Sequence, residues 1–275
     1  MSSPNLLGEY LRARRELVRP ADAGIRATGV RRTPGLRREE VATLAGISAD
    51  YYLRLEQGRD RNPSVQVLDA LARVLGLDTT ARAYLGSLAG DAPRRASSPP
   101  PSAVPSGILM LIDTLPVPAF VESRRFDILA ANSLATAMDP TIRPGGNRLR
   151  DIVLDQGARR LYPDWEDAVR NLVASFRTSI GTGIDDPDTS RLVGELSLAS
   201  EEFRRWWARH DVKPLSGAVM RVHHPEVGPM ELHREKLGID GTDGQVLAIY
   251  HAERGSDSAR SLALLGSLAA VPVQG

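Results

Sequence analysis

One stretch, residues 36–58, constrains the fold of this chain more than any other, because it predicts two helices joined by a sharp turn. Its first half places Val41 and Ala45 four residues apart, on one face of a helix. Gly46 then suits the left-handed conformation of a tight helix exit, and Ser48 is a favoured N-cap for a following helix. The stretch therefore predicts a helix-turn-helix.

The second predicted helix presents an outer face that suits the major groove of DNA. Tyr52 and Leu55 fall on its inward side. Arginine can pair bidentately with guanine, alanine and tyrosine can contact a thymine methyl, and serine can bond a base or a phosphate. The predicted groove residues are Ser48, Ala49, Asp50, Tyr51 and Arg54. Asp50 leaves two interpretations open, since it can accept from cytosine or orient Arg54 one turn along the helix.

Arginines on both sides of the motif predict phosphate contacts, which set the register on DNA without reading its sequence. They are Arg37, Arg38, Arg59 and Arg61. Residues 1–90 carry 14 arginines against 10 acidic residues, a net charge of +4, whereas the remainder carries −3. Residues 1–90 are therefore the part of the chain that is expected to bind DNA. The alternative is a helical bundle that serves protein contacts.

A family resemblance covers roughly the first 90 residues and rests on residues 31–78, which read RRTPGLRREEVATLAGISADYYLRLEQGRDRNPSVQVLDALARVLGLD. This run resembles the Xre/Cro/phage-repressor helix-turn-helix, and in particular the MmyB-like branch of actinobacterial transcription regulators. The resemblance implies an all-α bundle of five helices over residues 1–90. It also implies that Arg14 and Glu56 pair as a largely buried salt bridge.

A change of composition separates the two halves of the chain. Residues 91–106 read DAPRRASSPPPSAVPS, a proline-rich segment that favours an extended linker. Beyond it, alternating apolar patterns and turn residues predict an α+β domain over residues 107–275 with a mostly helical middle. The strand signals fall at residues 118–121, 126–130, 218–222, 230–237 and 245–251. A weaker resemblance to the MmyB-like ligand-binding domain implies a PAS-like fold with an antiparallel sheet and a helical insertion.

The same resemblance implies that the C-terminal domain can hold a fatty-acid-like amphiphile, and it implies no other cofactor. The predicted apolar wall of the ligand site is Phe120, Leu129, Phe176, Trp206, Val222 and Tyr250. The predicted partners of a polar head are Asn132, Arg205 and His210. Two alternatives stay open. Each of these residues can instead belong to the core, and the whole domain can be a protein-interaction module for RNA polymerase or a partner regulator.

Composition argues against several other classes of function. The chain has no cysteine, which excludes disulfides and thiolate chemistry, and its five histidines lack metal-ligand spacing. No catalytic motif is present, so an enzyme is not predicted. No apolar run is long enough to span a membrane and no secretory signal precedes the first helix, which predicts a cytoplasmic protein. We therefore expect a homodimeric transcription regulator that binds operator DNA and a small apolar effector.

Overall fold

The structure is a computed structural model. It describes residues 5–25, 31, 33–89, 103–183, 186–214 and 216–269. Its N-terminal part contains the helices α1 (Leu6–Leu17), α2 (Arg38–Ala45), α3 (Ala49–Glu56), α4 (Val65–Val74) and α5 (Thr79–Leu88). A short 3-10 turn over Pro20–Ala23 follows α1, since Pro20 has no amide hydrogen with which to continue that helix. The predicted all-α bundle of five helices is confirmed.

The turn between α2 and α3 forms as the sequence predicts. Gly46 adopts a φ of 69°, the left-handed conformation that a residue with a side chain disfavours. Ser48 accepts a hydrogen bond from the amide of Tyr51 at 3.1 Å, which caps α3. At the start of α2, Glu40 accepts from the amide of Arg37 at 2.7 Å, half of a capping box. The two helices are therefore oriented by local interactions.

A continuous apolar core holds the five helices together. Its largest contributors are Tyr10, Leu11, Leu36, Val41, Tyr52, Leu55, Leu71, Leu75 and Leu85. Helices α1 and α3 lie close together at Gly8, where a Cβ atom would lie 2.3 Å from the carbonyl oxygen of Glu56. Only glycine fits at this crossing. The end of α3 is thereby placed directly against α1.

The buried salt bridge between these two helices differs from the one that the family resemblance implies. Glu56 accepts from Nε of Arg15 at 2.6 Å, and the two side chains are only 2% and 7% exposed. Arg14 points away from Glu56 and pairs instead with Asp211 in the C-terminal part of the chain, at 2.6 Å. The prediction of an Arg14–Glu56 pair was wrong by one residue. Arg15 lies seven residues after Gly8, hence on the face of α1 that meets α3.

The C-terminal part combines one sheet with eight helices among the described residues. Its strands are β1 (Ala119–Glu122), β2 (Ile128–Ala131), β3 (Ala218–His224), β4 (Gly228–Gly238) and β5 (Val246–His251). Its helices are α6 (Ser106–Thr114), α7 (Ser133–Met138), α8 (Arg148–Leu154), α9 (Gln156–Leu161), α10 (Trp165–Ile180), α11 (Pro187–Ala199), α12 (Glu201–Ala208) and α13 (Asp257–Ala269). All five predicted strands are present, and the α+β class is confirmed. The sequence patterns do not predict α6 or α8.

The five strands form one antiparallel sheet in the order β2-β1-β5-β4-β3. One face packs on the helical insertion and carries Phe120 and Tyr250, whose rings stack at 6.0 Å. The opposite face is covered by α6 through Ile112, and Leu129 packs on this side. Successive residues of a strand alternate between the two faces. The pairing of β1 with β2 shifts register between Val121 and Glu122, and Leu129 packs with the cluster under α6 whereas Phe120 packs in the main core. Leu129 and Phe120 therefore do not line one common space.

The predicted linker, residues 91–106, falls largely outside the described residues. The described part resumes at residue 103, and α6 begins at Ser106, the last residue of the predicted linker. The domain limits of 1–90 and 107–275 therefore stay predictions.

Candidate DNA-binding face and ligand cavity

Helix α3 turns a polar row outward, as expected for a groove-reading helix. Ser48, Ala49, Asp50 and Arg54 are exposed, and Tyr51 is half-buried. Arg54 donates to a carboxylate oxygen of Asp50 at 3.0 Å, and its guanidinium lies 5.6 Å from the centre of the Tyr51 ring. Of the two interpretations of Asp50, the structure contains the contact that orients Arg54. The row is therefore pre-arranged by α3 itself.

The four flanking arginines differ in their exposure and in their hydrogen bonds within the protein. Arg37 and Arg59 are exposed, and Arg61 is exposed while its Nε donates to the carbonyl of Gly58 at 3.1 Å. Arg38 donates to Glu56 at 2.6 Å and closes the buried Arg15–Glu56 pair on its outer side. Its guanidinium is half exposed, so it can hold α3 in place and still face solvent.

Glu56 stays charged inside this network of two arginines. Burial alone would raise the pKa of Glu56, but hydrogen bonds and charge attraction from Arg15 and Arg38 outweigh burial, and the pKa lies below its ordinary value. Arg15 donates further to the carbonyl of Leu36 at 2.9 Å, just ahead of α2. One buried carboxylate therefore ties α1, α2 and α3 together.

A cavity of about 280 Å³ lies between the sheet and the helical insertion of the C-terminal domain. It is bounded by α8, α10, β3, β4 and the segment that leads into β3. Its apolar wall includes Ile152, Leu172 and Met220, and its charged wall includes Arg148, Arg234 and Lys236. A concave site that mixes apolar surface with a few polar groups is typical of small-molecule binding.

The nine predicted ligand residues lie elsewhere, and the structure places none of them in the wall of this cavity. Five are buried in the main core against one another or their neighbours, namely Phe120, Phe176, Trp206, Val222 and Tyr250. Leu129 packs on the far face of the sheet, and Arg205 is exposed on α12. Phe120, Phe176, Trp206, Val222 and Tyr250 therefore belong to the core, which is the alternative that the sequence left open.

Asn132 has a structural role that occupies its whole side chain. Its oxygen accepts from the amides of Ala119 and Ala135 at 3.1 and 2.9 Å, so that it caps α7. Its nitrogen donates to the carbonyls of Ile112 and Val117 at 3.1 and 2.8 Å. Asn132 therefore fixes α6 and β1 relative to α7 and has no free donor or acceptor for a ligand head.

The inner end of the cavity contains a buried charge cluster that the sequence analysis missed. Glu122 accepts from Nε and Nη2 of Arg148 at 2.7 and 3.1 Å and from Nζ of Lys236 at 2.6 Å. Burial and then the neighbouring Arg148 lower the pKa of Lys236 to about 7. Burial alone would raise the pKa of Glu122, but the two cations outweigh it and hold that pKa below its ordinary value.

A signal for this cluster was present in strand β4. Met230, Leu232, Arg234 and Lys236 occupy alternate positions and so share the inward face of the strand. The first two are buried in the main core, and the last two continue the same face into the cavity. Charged residues that extend an apolar alternation indicate a functional or ion-paired interior.

The two parts of the chain contact each other through α1 and the segment after α12. Besides the Arg14–Asp211 ion pair, the ring of Tyr10 lies 6.4 Å from that of His210, edge to face. Val212 packs against the core of the N-terminal bundle. The helix-turn-helix domain is therefore held by residues that immediately precede the cavity wall at Lys213.

His210, predicted to meet a ligand head, belongs instead to this contact between the domains. It has a φ of 52°, a left-handed conformation that is uncommon for a residue with a side chain. Burial, followed by the charges of Arg177 and Arg14, lowers the pKa of His210 to about 3. The imidazole of His210 is therefore neutral in the docked state at pH values near neutrality.

A helix-turn-helix with an exposed polar face on a five-helix bundle, joined to an α+β domain that contains a cavity, is the arrangement of a DNA-binding regulator with a ligand-binding domain. A family model described as a helix-turn-helix domain matches residues 6–85. The model of the MmyB-like transcription regulator ligand binding domain matches residues 104–265, more than half of the chain. The chain belongs to the MmyB-like transcription regulators, and the predicted family is confirmed. No curated protein matches the chain.

The protein is therefore a DNA-binding transcriptional regulator with a ligand-binding domain. Within the described ranges, no helix is both long and apolar enough to cross a membrane. The described residues likewise contain no group of three or more His, Asp or Glu side chains arranged to hold a metal ion.

Proposed function

We propose that the protein acts as a homodimer whose two helix-turn-helix domains bind half-sites one DNA turn apart. An effector in the C-terminal domain changes how each DNA-binding domain is held, and thereby how well the pair fits its operator. One observation carries this proposal: Asp211 contacts α1, and Lys213, two residues later, lines the cavity. Movement of the cavity wall therefore reaches the DNA-binding domain over a single short segment.

The effector that we propose is a small amphiphile, of the fatty-acid-like class that the family resemblance implies. Support comes from the cavity, in which Ile152, Leu172 and Met220 face basic side chains. A native mass spectrum of the purified protein is expected to show an adduct of a few hundred daltons. Only the mass of the bare chain, across preparations, would count against a retained amphiphile.

A second candidate is an interaction module that contacts RNA polymerase or a partner regulator. It is favoured by apolar side chains that remain exposed on two helices of the C-terminal domain, Met110 on α6 and Leu264 and Leu268 on α13. Effector-independent binding of purified RNA polymerase, lost when Met110 and Leu264 are changed to serine, would support this candidate over the first.

Changing Arg54 to alanine is expected to weaken operator binding by about tenfold or more and to relax base preference at one position of each half-site. The physical reason is that Arg54 is exposed on α3 and oriented by Asp50 for bidentate pairing with a base. The operator is first selected from a random duplex library with the full chain. Affinity is then measured on the selected site and its single-base variants at constant salt.

Arg191 in α11 provides the matched control for the loss of one positive charge, because it is exposed and lies in the C-terminal domain. Arg191→Ala should leave affinity and base preference as they are. Arg59→Ala should weaken binding to all sequences equally and lower the salt dependence by about one counterion. Unchanged affinity and base preference in Arg54→Ala would show that α3 does not read DNA through this residue.

Acidification is expected to undock the two domains, because His210 must be neutral in the docked form. When docking is lost the pKa of His210 returns to its ordinary value, so protonation favours the undocked form. The stabilisation is complete above about pH 6.5 and declines by about 1.4 kcal/mol for each pH unit below it. The groups that face His210 are Tyr10, Arg14, Arg177 and Asp211.

The chain has no cysteine, so one label can be placed in each domain without background. Labels at Arg12→Cys and Arg191→Cys, both exposed, report the distance between the domains by spectroscopy. The distance distribution should broaden between pH 7.5 and 5.5. His210→Asn is the control, because asparagine tolerates a positive φ and does not titrate. A broadening that persists unchanged in this variant would assign the effect to another group.

A further inference from the structure

Helix α6 is apolar on every side, although most of it is exposed. Residues 108–112 read ILMLI, and Ile112 is the one residue of this fully described helix that is buried. Leu109, Met110 and Leu111 are exposed, and Met110 is 66% exposed. Successive residues of a helix are rotated by about 100°, so these three side chains spread over the top and both flanks of α6, away from Ile112. A helix that is apolar all round is normally buried, so the outer side of α6 lacks a cover.

The sheet face on which α6 packs is covered only in part. Where β1 and β5 run under the helix, Val121 and Leu247 are paired across the two strands and are buried. On the neighbouring strands β4 and β3, every residue of the same face is exposed or half-buried. The large apolar side chains of Val219 and Leu237 are exposed there. Leu237 pairs with Leu247 across β4 and β5, so the exposed part begins directly beside the covered part.

The charges on this surface suit contact with a second copy of the same surface. Helix α6 contributes one charged side chain, Asp113, which is exposed. Beside it on the sheet face, the rings of His233 and His251 stack at 5.4 Å, and Glu235 lies 3.9 Å from His251. An imidazole N–H donates to a carboxylate, so a histidine of one copy can bind Asp113 of the other. A two-fold axis makes each such contact twice.

The surface is also large enough for a dimer. Helix α6 has nine residues, which makes it about 14 Å long and about 10 Å wide. Strand β4 has 11 residues, which span about 36 Å, and neighbouring strands lie about 4.8 Å apart. The top of α6 and the two uncovered strands thus present roughly 500 Å² in projection. The accessible area of a face covered by side chains exceeds its projection, and a standard interface buries about 800 Å² on each partner.

We propose that two copies of the chain meet at this surface, where α6 packs beside α6 of the second copy and over its uncovered strands β3 and β4. This inference rests on the homodimer proposed above and names the surface that forms it. Helix α6 is the first helix after the DNA-binding domain. Because α6 is short, its two starting points stay within roughly 20 Å of each other in such a dimer. The two DNA-binding domains are thereby held close together, as adjacent half-sites require.

Analytical ultracentrifugation of the full chain over a range of concentrations tests this proposal. Met110→Glu on α6 and Leu237→Glu on β4 alter exposed positions, so both variants should keep the circular dichroism spectrum of the original protein. Each should weaken the dimer at least tenfold, because the second copy would bury the new carboxylate without a partner. Leu198→Glu, exposed on α11, is the matched control and should dimerise within twofold of the original protein. Met110→Glu should also lose affinity for an operator with two half-sites and bind a single half-site as before.

Cross-linking gives a second readout, since the chain has no cysteine of its own. A short bismaleimide should join two copies that carry Met110→Cys and should leave Leu198→Cys uncoupled. A dimer that survives both Met110→Glu and Leu237→Glu would overturn the proposed surface and leave the homodimer standing. A chain that is monomeric with and without operator would make both proposals wrong. If Met110→Glu in such a monomer abolished binding of RNA polymerase, the surface would belong to that partner instead.

Discussion

Changing Arg15 to alanine is expected to lower the free energy of unfolding of the N-terminal domain by about 3 kcal/mol. Arg15 and Glu56 are both buried and lie 2.6 Å apart, so loss of the arginine leaves a carboxylate that only the half-exposed Arg38 still neutralises. The carbonyl of Leu36 loses its donor as well. Because these contacts join α1 to α2 and α3, the effect should extend to the whole helix-turn-helix.

Arg14→Ala is the matched control, one residue away on the same helix. Its ion pair with Asp211 is partly exposed and lies outside the bundle, so the cost to the N-terminal domain should stay below about 1 kcal/mol. Native-state hydrogen exchange, followed on peptides from α1 and α3, separates this domain from the rest of the chain. Equal losses in the two variants would mean that Arg15 does not hold the bundle together.

The one-residue error in this pair shows where sequence information ends. Gly46 and Ser48 act on their own neighbours, so the helix-turn-helix could be predicted from local signals. The partner of Glu56 depends on where α3 crosses α1, and that crossing is set by a close approach at Gly8. Arg14 and Arg15 differ only by the helical rotation of one residue. No local pattern distinguishes them.

The same contrast between local sequence signals and long-range packing applies to the C-terminal domain. The strands could be predicted, because short apolar runs bounded by turn residues mark β1, β2 and β5, and β4 keeps an apolar alternation. The site could not, because bulky residues such as Phe120 and Tyr250 fill the core, whereas the cavity is lined by residues that look like surface positions. Lys236 and its partner Glu122 are 114 residues apart along the chain. His210 is brought to α1 by the docking of the two domains, and no periodic pattern in the sequence indicates that docking.

The largest effect is expected for Glu122→Gln, which should lower the free energy of unfolding of the C-terminal domain by about 3–5 kcal/mol. Glutamine keeps the size of the side chain, so no void forms. It removes the charge that balances Arg148 and Lys236, and the side chain of Lys236 is only 2% exposed. All three tryptophans, Trp165, Trp206 and Trp207, lie in this domain, so denaturant unfolding followed by tryptophan fluorescence reports its stability alone.

Glu195→Gln is the control that tests whether burial of the charges, and not ion pairing alone, causes the loss of stability in Glu122→Gln. Glu195 binds Arg150 through two contacts of 2.7 Å, as close as those at Glu122, but it is 38% exposed. Its loss should cost less than about 1 kcal/mol, since water replaces the lost partner. The double variant Glu122→Gln, Lys236→Met should recover part of the stability lost in Glu122→Gln, because one stranded cation is removed with its partner. If the two single variants lose stability equally, and Lys236→Met restores none, the buried cluster does not stabilise the domain through charge balance.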